Sequence, residues 1–197
     1  LKYELKPDNY ATMVSLGLPP TDLASVPDST LAKYASAFYE YDTNHRVTKS
    51  LLRAETIEST FQRLNSDEAS GRNWYRKTIL TRADGATVTT YVNRANQKLL
   101  EVLSKDGDSW ANYWIYNNEN RIELHASPSA IESFTEPGNA SQNFSVTLKS
   151  DSGLLNKREY YPASGGGAGA APGYLKHVSV QEGENGSPVS YTHLRAH

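Results

Sequence analysis

Residues 87–126 decide the fold; broken at their turn signals, they read TVTTYV, NRANQ, KLLEVLSK, DG, DSWANYWIY, NNENR and IELHA. Between the turns, residues 87–92, 98–103, 110–116 and 121–126 are apolar or alternate between apolar and polar side chains. Each segment has the length of an ordinary strand, and its β-branched and aromatic residues favour a half-buried pleated surface. The stretch therefore predicts consecutive antiparallel β-hairpins, and the fold class is mainly β.

The turn signals recur at a nearly fixed interval. An Asp-Gly pair, the two-residue hairpin signal, stands at 84–85 and returns 22 residues later at 106–107. Asn-rich turns at 93–97 and 117–121 are offset by 24 residues. Two hairpins per unit of roughly 23 residues make a repeat, so we expect a meander or spiralling sheet of antiparallel β-hairpin repeats.

Three longer turns, at 42–46, 93–97 and 117–121, align without a gap. Each opens with Asp or Asn, whose side chain can accept hydrogen bonds from backbone amides two residues further on. The fourth place holds His or Asn, which are among the few non-glycine residues found at positive φ. The pattern is a turn requirement, carried by Asp42, Asn93 and Asn117 in first place and by His45, Asn96 and Asn120 in fourth place.

The segment 110–116 carries aromatic residues on both of its faces. Because side chains alternate along a strand, one face holds two tryptophans and a tyrosine, and the other a tyrosine and an isoleucine. Either both faces are covered, or the segment belongs to a binding surface. A stacking platform for sugar rings would use Trp110, Tyr113, Trp114 and Tyr116.

Outside this stretch the chain divides by composition. We predict a mixed helix and loop lead-in at 1–37, a β-sheet region at 38–189, and a tail at 190–197 that matches no neighbouring pattern and is interpreted as non-native. Within the β region, residues 53–72 are a polar, exposed insertion, and residues 164–173 are a Gly-rich loop.

Shorter signals complete this organisation. Asp28-Ser29 indicates the N-cap of a short N-terminal helix of about two turns. A hairpin is expected around 150–153, between strands at 144–148 and 154–161, and a further strand begins at Tyr174. The chain opens with Leu1, so we expect the true N-terminus to lie upstream, and the sequence to be an internal fragment.

The composition excludes several classes of partner and chemistry. With 20 Lys and Arg against 22 Asp and Glu, the net charge is 20 − 22 = −2, so no global field attracts nucleic acid or an anionic membrane. The absence of cysteine excludes disulfides, thiolate metal sites and cysteine nucleophiles. Apolar runs are too short to span a bilayer. At 38% hydrophobic residues, thin sheet layers with one wet face are expected.

With the repeat laid out, the chain resembles the bacterial RHS (rearrangement hotspot) or YD-repeat family across residues 34–189. The resemblance rests on a Tyr-x-Tyr-Asp motif, with an Arg four residues after the Asp, which returns in degraded form as Trp-Ile-Tyr-Asn; a fainter copy runs from 90 to 98. Its residues are Tyr39, Tyr41, Asp42, Arg46, Trp114, Tyr116, Asn117 and Arg121. The family usually has Gly before the Arg, where this chain has His45 and Asn120.

The resemblance implies a non-enzymatic segment of a β-shell that encapsulates or displays a C-terminal, toxin-like domain. It implies secretion or a place at the bacterial cell surface, with the rest of the polypeptide, shell and cargo, as the main partner. Some members of the family are described as carbohydrate-binding, which makes a carbohydrate-binding β module the alternative function. No cofactor, metal, nucleic acid partner or membrane span is expected.

Two further kinds of chemistry have weaker sequence support. A pair of carboxylates for glycoside cleavage would come from Glu55 and Glu58, or from the acidic pair at 67–68, in the polar stretch. A calcium site at 106–108 lacks the distal Glu of a full binding loop, and the hairpin accounts for the same residues. Histidines show no metal-ligand spacing. We therefore expect no catalytic residues.

Overall fold

A computed structural model of the chain describes residues 2–18, 23–67, 73–162 and 173–193, with side chains as far as residue 190. The fold is mainly β, as predicted. In chain order the elements are β1 (Tyr3–Glu4), α1 (Pro7–Ser15), α2 (Asp28–Tyr34), β2 (Ala37–Tyr41), β3 (Val47–Leu52), β4 (Ile57–Asn65), β5 (Arg76–Thr81), β6 (Thr87–Val92), β7 (Lys98–Lys105), β8 (Asp108–Tyr116), β9 (Ile122–Ala126), β10 (Ile131–Thr135), β11 (Ser145–Leu148), β12 (Leu154–Tyr160), β13 (Leu175–Glu182) and β14 (Val189–His193). Single 3-10 turns lie at Leu23–Ser25 and Pro128–Ala130.

The strands form an antiparallel meander of 12 strands among the described residues. Their hydrogen-bonded order follows the chain from β1 to β9 and continues with β12, β13 and β14. Between β9 and β12 the chain leaves this sheet and forms the separate hairpin of β10 and β11. The predicted meander is thus confirmed, and the four strands expected in 87–126 correspond to β6, β7, β8 and β9.

The chain divides into two compact units, of which the first comprises Leu1–Arg63 and Thr78–Val88. In this unit β1 pairs with β2, and Tyr3 lies opposite Phe38. Phe38 and Leu51 are buried beside Ala32 and Ala35, at the end of α2. A second small cluster joins the two helices and contains Met13, Val26 and Leu31.

The sequence indicates that Asp28-Ser29 caps the short N-terminal helix, but the N-cap lies one residue earlier in the structure. The N-cap residue is Pro27, and no side chain caps the helix. Asp28 is the first helical residue, and its carboxylate accepts a hydrogen bond from Nζ of Lys2. A negative charge in the first turn complements the helix dipole, which explains why this position favours Asp without the capping bond. Helix α1, with Pro7 in its first turn, was not predicted.

The second unit comprises Leu64–Lys77 and Thr89–His197 and contains the larger core. Here one row of paired residues crosses four strands: Leu100, Tyr113, Ala126 and Leu155. We call the face that carries this row the hairpin face, because the β10–β11 hairpin packs on it. Its buried cluster is Trp74, Tyr91, Leu100, Val102, Ala111, Leu124, Ala126, Ala130, Ile131, Phe144 and Leu155.

The opposite face of the same strands carries a different row. Trp114, His125 and Asn156 are paired neighbours across β8, β9 and β12. Trp110 and Asn112 share this face because they stand four and two residues before Trp114. We call it the indole face. The separation of Trp110 and Trp114 from Tyr113 and Ile115 agrees with the alternation read from the sequence, whereas Tyr116 follows a register shift in the β8–β9 pairing.

The stretch predicted as a polar insertion, 53–72, contributes a strand instead. β4 spans Ile57–Asn65 and pairs with β3, with Leu52 opposite Ile57. Its intermediate and exposed residues show why composition suggested an exposed insertion: the strand lacks a strongly buried face. The turn before it contains three consecutive non-glycine residues at positive φ, namely Arg53 (50°), Ala54 (53°) and Glu55 (66°).

Two predicted hairpins have a different form. Residues 82–86 do not make a two-residue turn around Asp84-Gly85; Arg82 N–H donates to the carbonyl of Ala86 and Gly85 N–H to that of Arg82, at 2.8 and 3.0 Å. The pair at 106–107 does make a two-residue turn, with Lys105 opposite Asp108. Also, β11 and β12 are not hairpin partners, because β11 pairs with β10 and β12 with β9.

The C-terminal segment is also structured differently from the prediction. Residues 189–193 form β14, which pairs with β13, so part of the predicted non-native tail at 190–197 continues the sheet. Most of the predicted Gly-rich loop, 164–173, lies outside the described residues; Gly173 is described and has φ +79°. Neither described helix combines the length and the apolar character that a membrane-crossing helix needs.

Candidate functional site

The three motif turns, 42–46, 93–97 and 117–121, share one hydrogen-bond pattern. In each, Oδ1 of the first residue accepts the N–H groups of the third and fifth residues at 2.9–3.0 Å. The first N–H donates to the fifth carbonyl, and the fourth N–H to the first carbonyl, again at 2.9–3.0 Å. The predicted role of Asp42, Asn93 and Asn117 as turn residues is therefore confirmed.

The fourth residue of each motif turn is left-handed, as predicted. The φ angles are 58° at His45, 60° at Asn96 and 62° at Asn120. The turn at 82–86 has the same backbone bonds with Gly85 (φ 78°) in fourth place. Sequence reasoning missed this fourth copy because Arg82, in first place, lacks the Asp or Asn side chain. There Oδ1 of Asp84 accepts the Ala86 N–H at 3.2 Å instead.

In the first motif turn the fifth residue closes a charged pair. Arg46 donates from Nε to Oδ2 of Asp42 at 2.8 Å, and its Nη2 lies 2.8 Å from the same oxygen. The pKa of Asp42 is held below its ordinary value, chiefly by the hydrogen bond from the backbone N–H of Arg46. The Arg46 guanidinium and the N–H of Asn44 lower this pKa further. Tyr39 and Tyr41 stand on β2 before this turn, half-buried and 40% exposed respectively.

Two tyrosines connect the turns of neighbouring hairpins. Tyr116, the last residue of β8, donates its hydroxyl to the carbonyl of Lys98, the first residue of β7, at 2.9 Å. Tyr160, the last residue of β12, donates to the carbonyl of Ile122, the first residue of β9, also at 2.9 Å. In both cases a tyrosine hydroxyl at the end of one strand bonds to the backbone carbonyl at the start of a neighbouring strand. We call this hydrogen bond a tyrosine tie, and it occurs twice along one edge of the second unit's sheet.

The fifth residues of the later motif turns reach across to the next connection along the same edge. Nε2 of Gln97 donates to the carbonyl of Asn120 at 2.6 Å. Nη1 of Arg121 donates to the carbonyl of Gly173, and its guanidinium lies over the ring of Tyr160, 4.7 Å from the centroid. These side chains therefore join successive turns to one another.

The four proposed sugar-stacking residues do not all lie on one face of β8. Trp110 and Trp114 lie on the indole face, whereas Tyr113 lies on the hairpin face, where its ring meets Phe144 edge-on at 6.3 Å. Burial raises the pKa of the Tyr113 hydroxyl. Tyr113, Trp114 and Tyr116 nevertheless line one cleft near the end of β8, whereas Trp110 does not line it, and the stacking role of the four residues stays a prediction.

The indole of Trp114 is in contact with two other side chains. The imidazole of His125, on β9, stacks on the indole at 4.8 Å with an interplanar angle of 11°. On the β7 side, Nζ of Lys98 lies 5.1 Å from the indole centroid and 2.6 Å from Glu101. Trp110 is different, because it is 45% exposed.

His125 is the titratable group at the centre of the indole face. Burial, followed by the nearby charges of Arg158 and Lys98, lowers its pKa below the ordinary value. Its Nε2 lies 3.2 Å from Oδ1 of Asn112. A neutral imidazole stacked on an indole is a packing arrangement, and the two cations beside it disfavour the protonated ring.

The described acidic residues considered for catalysis have different local surroundings. Glu55 lies in the left-handed turn before β4, whereas Glu58 contacts Lys49 at 3.1 Å. Asp67 accepts a hydrogen bond from Ser141, and Glu68 lies outside the described residues. Within the described part of the chain, no three His, Asp or Glu side chains are grouped as metal ligands.

Comparison with known proteins gives the chain no family. No protein-family model matches it, and no curated protein matches it at a significant level.

Proposed function

We propose that this chain is a non-enzymatic structural segment of an RHS or YD-repeat β-shell. In this role it forms part of a wall that encapsulates or displays a C-terminal, toxin-like domain at the bacterial surface or after secretion. The observation that carries the proposal is that the motif residues are engaged in closing turns and in tying neighbouring hairpins together.

The motif residues have a shared structural use. Asp42, Asn93 and Asn117 are occupied by backbone amides of their own turns, and the hydroxyls of Tyr116 and Tyr160 by backbone carbonyls of other strands. The Oδ1 atoms and hydroxyls bonded in this way are not available to a substrate. A repeat whose signature residues close its turns, and in several cases bond to a neighbouring hairpin, suits a wall extended by addition of further hairpins.

The proposal is tested first by determining the reading frame on both sides of residues 1–197. We expect further Tyr-x-Tyr-Asp hairpins and a variable domain at the C-terminal end. The complete protein should then protect that domain from added protease. Replacing both tying hydroxyls, Tyr116→Phe with Tyr160→Phe, should speed its digestion, whereas Tyr174→Phe, at a 71% exposed position, should not. A frame that ends near residue 189 behind a signal peptide would contradict the shell.

The second candidate is a carbohydrate-binding β module, favoured by the exposure of Trp110 (45%) on the indole face. Because His125 stacks on the indole of Trp114 and Lys98 lies 5.1 Å from its centroid, the more exposed Trp110 is the better candidate to stack on a sugar ring. Binding on a glycan array should therefore fall in Trp110→Ala and change little in Trp114→Phe. Equal losses in both variants would count against this assignment.

A further inference from the structure

A cleft of about 330 Å³ opens in the second unit, beside the turns of the hairpin face. Its lining includes Asn117 and Asn120 of turn 117–121, Asn73 and Phe144, together with Trp114 and Tyr116 from the end of β8. Its volume falls within the range of small-molecule sites. The residues that decide its chemistry are Asn73, Asn93, Tyr113, Asn117, Asn120 and Phe144.

Several polar groups of the cleft have no hydrogen-bond partner among the described residues. They are the whole carboxamide of Asn120, Nδ2 of Asn117, Oδ1 of Asn73 and the hydroxyl of Tyr113. None of these atoms is fully buried without a partner, so each is within reach of solvent or a ligand. Asn93 differs, because its Oδ1 accepts two backbone N–H groups and its Nδ2 donates to Gln97.

The apolar part of the cleft is aromatic. Tyr113 and Phe144 meet edge-on, with ring centroids 6.3 Å apart and an interplanar angle of 79°. Phe144 is anchored because the neighbouring backbone is fixed: Asn73 donates from Nδ2 to its carbonyl at 2.8 Å. The wall therefore belongs to the packed core and does not need to form when a ligand arrives.

The described lining contains no Asp, Glu, Lys, Arg or His. Burial also raises the pKa of the Tyr113 hydroxyl, which keeps that group neutral at physiological pH. Taking an ion out of water without a counter-charge costs several kcal/mol or more. Carboxamides and a phenol pair well with neutral donors and acceptors. The ligand that fits this lining is uncharged and rich in hydroxyl groups.

We propose that the cleft binds a neutral sugar unit. Its hydroxyls bond to Nδ2 of Asn117, to the carboxamide of Asn120, to Oδ1 of Asn73 and to the Tyr113 hydroxyl, while its C–H groups contact the Tyr113 and Phe144 rings. The inference moves the sugar contact of the second candidate function from Trp110 to this cleft, whose lining includes Trp114 and Tyr116 as well as Tyr113. It does not depend on the shell role, because a wall segment and a separate module would both present the cleft.

The test is binding of the whole chain to a glycan array that carries neutral oligosaccharides beside their sulfated and sialylated counterparts. The best neutral oligosaccharide is then titrated against variants. Asn120→Gly removes the carboxamide at a position whose φ of 62° suits glycine, so the turn is retained. Tyr113→Phe removes only a hydroxyl. Each should weaken binding by about 3- to 10-fold, the usual value of one hydrogen bond.

A matched control comes from the neighbouring turn. Asn96→Gly makes the same change in fourth place, at φ 60°. Asn96 does not line the cleft, and its Oδ1 accepts from Nη2 of Arg76 at 2.7 Å. Sugar affinity should therefore be unchanged in this variant, which separates loss of a ligand contact from an effect of turn substitution.

Three results would overturn the proposal. The first is full affinity in both Asn120→Gly and Tyr113→Phe, with loss in Trp110→Ala, which would return the sugar to the indole face. The second is preference for the sulfated or sialylated glycans. The third is binding to no neutral glycan on the array; the shell proposal would survive that result, because reading-frame determination and protection of the cargo domain test it separately.

Discussion

Strand β8 presents aromatic side chains to two faces of one sheet, and the two faces use them differently. On the hairpin face, Tyr113 lies against Phe144 under a covering hairpin, next to side chains with no solvent exposure such as Leu100 and Leu155. On the indole face, Trp114 contacts Lys98 and His125, and Trp110 remains 45% exposed. Alternation in a strand thus assigns a side chain to a face, but the covering element determines whether it becomes core.

The largest expected difference between the faces is in stability. Leu100→Ala removes a fully buried side chain from the hairpin face and should lower the free energy of unfolding by about 2–5 kcal/mol. Trp110→Ala, on the indole face, should change it by only about 0.5 kcal/mol, as exposed substitutions do. Urea unfolding followed by circular dichroism measures both. Similar losses would mean that the indole face is covered as well.

A smaller effect is expected from the hydroxyl of Tyr91, which anchors the segment after β10 to the hairpin face. Its ring is fully buried, and the hydroxyl donates to Oε2 of Glu136 at 2.6 Å, with Nζ of Lys77 3.5 Å from the same oxygen. Tyr91→Phe should lower stability by about 1.5–3 kcal/mol, the range for bonds to charged groups. Tyr116→Phe, which loses a bond to a neutral carbonyl, should cost about 0.5–1.5 kcal/mol.

The same tyrosine gives the hairpin face a pH dependence. Burial, then the hydrogen bond and charge of Glu136, raise the pKa of Tyr91 above its ordinary value of 10.0. The folded state therefore favours the protonated phenol, and this stability is complete below pH 10 and is lost as the pH rises further. Between pH 10 and 12, the free energy of unfolding should fall less steeply with pH in Tyr91→Phe than in the wild type. An identical slope in wild type and variant would show that Tyr91 is not responsible.

The turns determine which side chain reaches which face, because a register slip of one residue exchanges the two. Asn120→Val places a β-branched residue at φ 62° and should cost about 1–2 kcal/mol. Asn120→Gly should cost nothing. Ala54→Gly, at φ 53° in the turn before β4, should raise stability by about 1 kcal/mol. Thermal unfolding measures all three, and a destabilising Ala54→Gly would contradict the account.

Local chemistry made the turns predictable from the sequence. Asp or Asn in first place and His or Asn in fourth are requirements of the turn itself, so residues 42–46, 93–97 and 117–121 could be recognised without knowledge of the rest. Alternation within 110–116 was sufficient to place Tyr113 and Trp114 on different faces of the sheet. The sequence therefore predicted the meander and the faces of β8.

Long-range contacts explain what the sequence did not predict. Gly153, at φ +83°, passes so close to the 3-10 turn before β10 that an added Cβ would lie 2.2 Å from the carbonyl oxygen of Ser129. This crossing sends the β10–β11 hairpin over the sheet, and nothing within 150–153 specifies it. Likewise, β4 has no buried residue on either side, so only its pairing with β3 reveals it. The cleft combines Asn73, Tyr113 and Phe144, which are far apart in the sequence.

The smallest expected effect lies on the indole face and concerns the His125–Trp114 stack. Because the pKa of His125 is lowered by burial and by the charges of Arg158 and Lys98, its contribution to stability is present above the ordinary value of 6.5 and is lost as the pH falls below it. A protonated imidazole quenches an indole on which it stacks. Tryptophan emission in a Trp110→Phe background should therefore fall with a midpoint below pH 6.5.

Two variants assign that midpoint. His125→Gln should abolish the transition, and Arg158→Gln should move it toward higher pH, because it removes one of the two cations that disfavour the protonated ring. Leu103→Met, on β7 of the same sheet, should leave it in place. A midpoint at or above pH 6.5 in the parent protein would mean that the charges on this face do not act on His125. The indole face would then be a more solvated surface than the stacking geometry implies, and its difference from the hairpin face would rest on coverage alone.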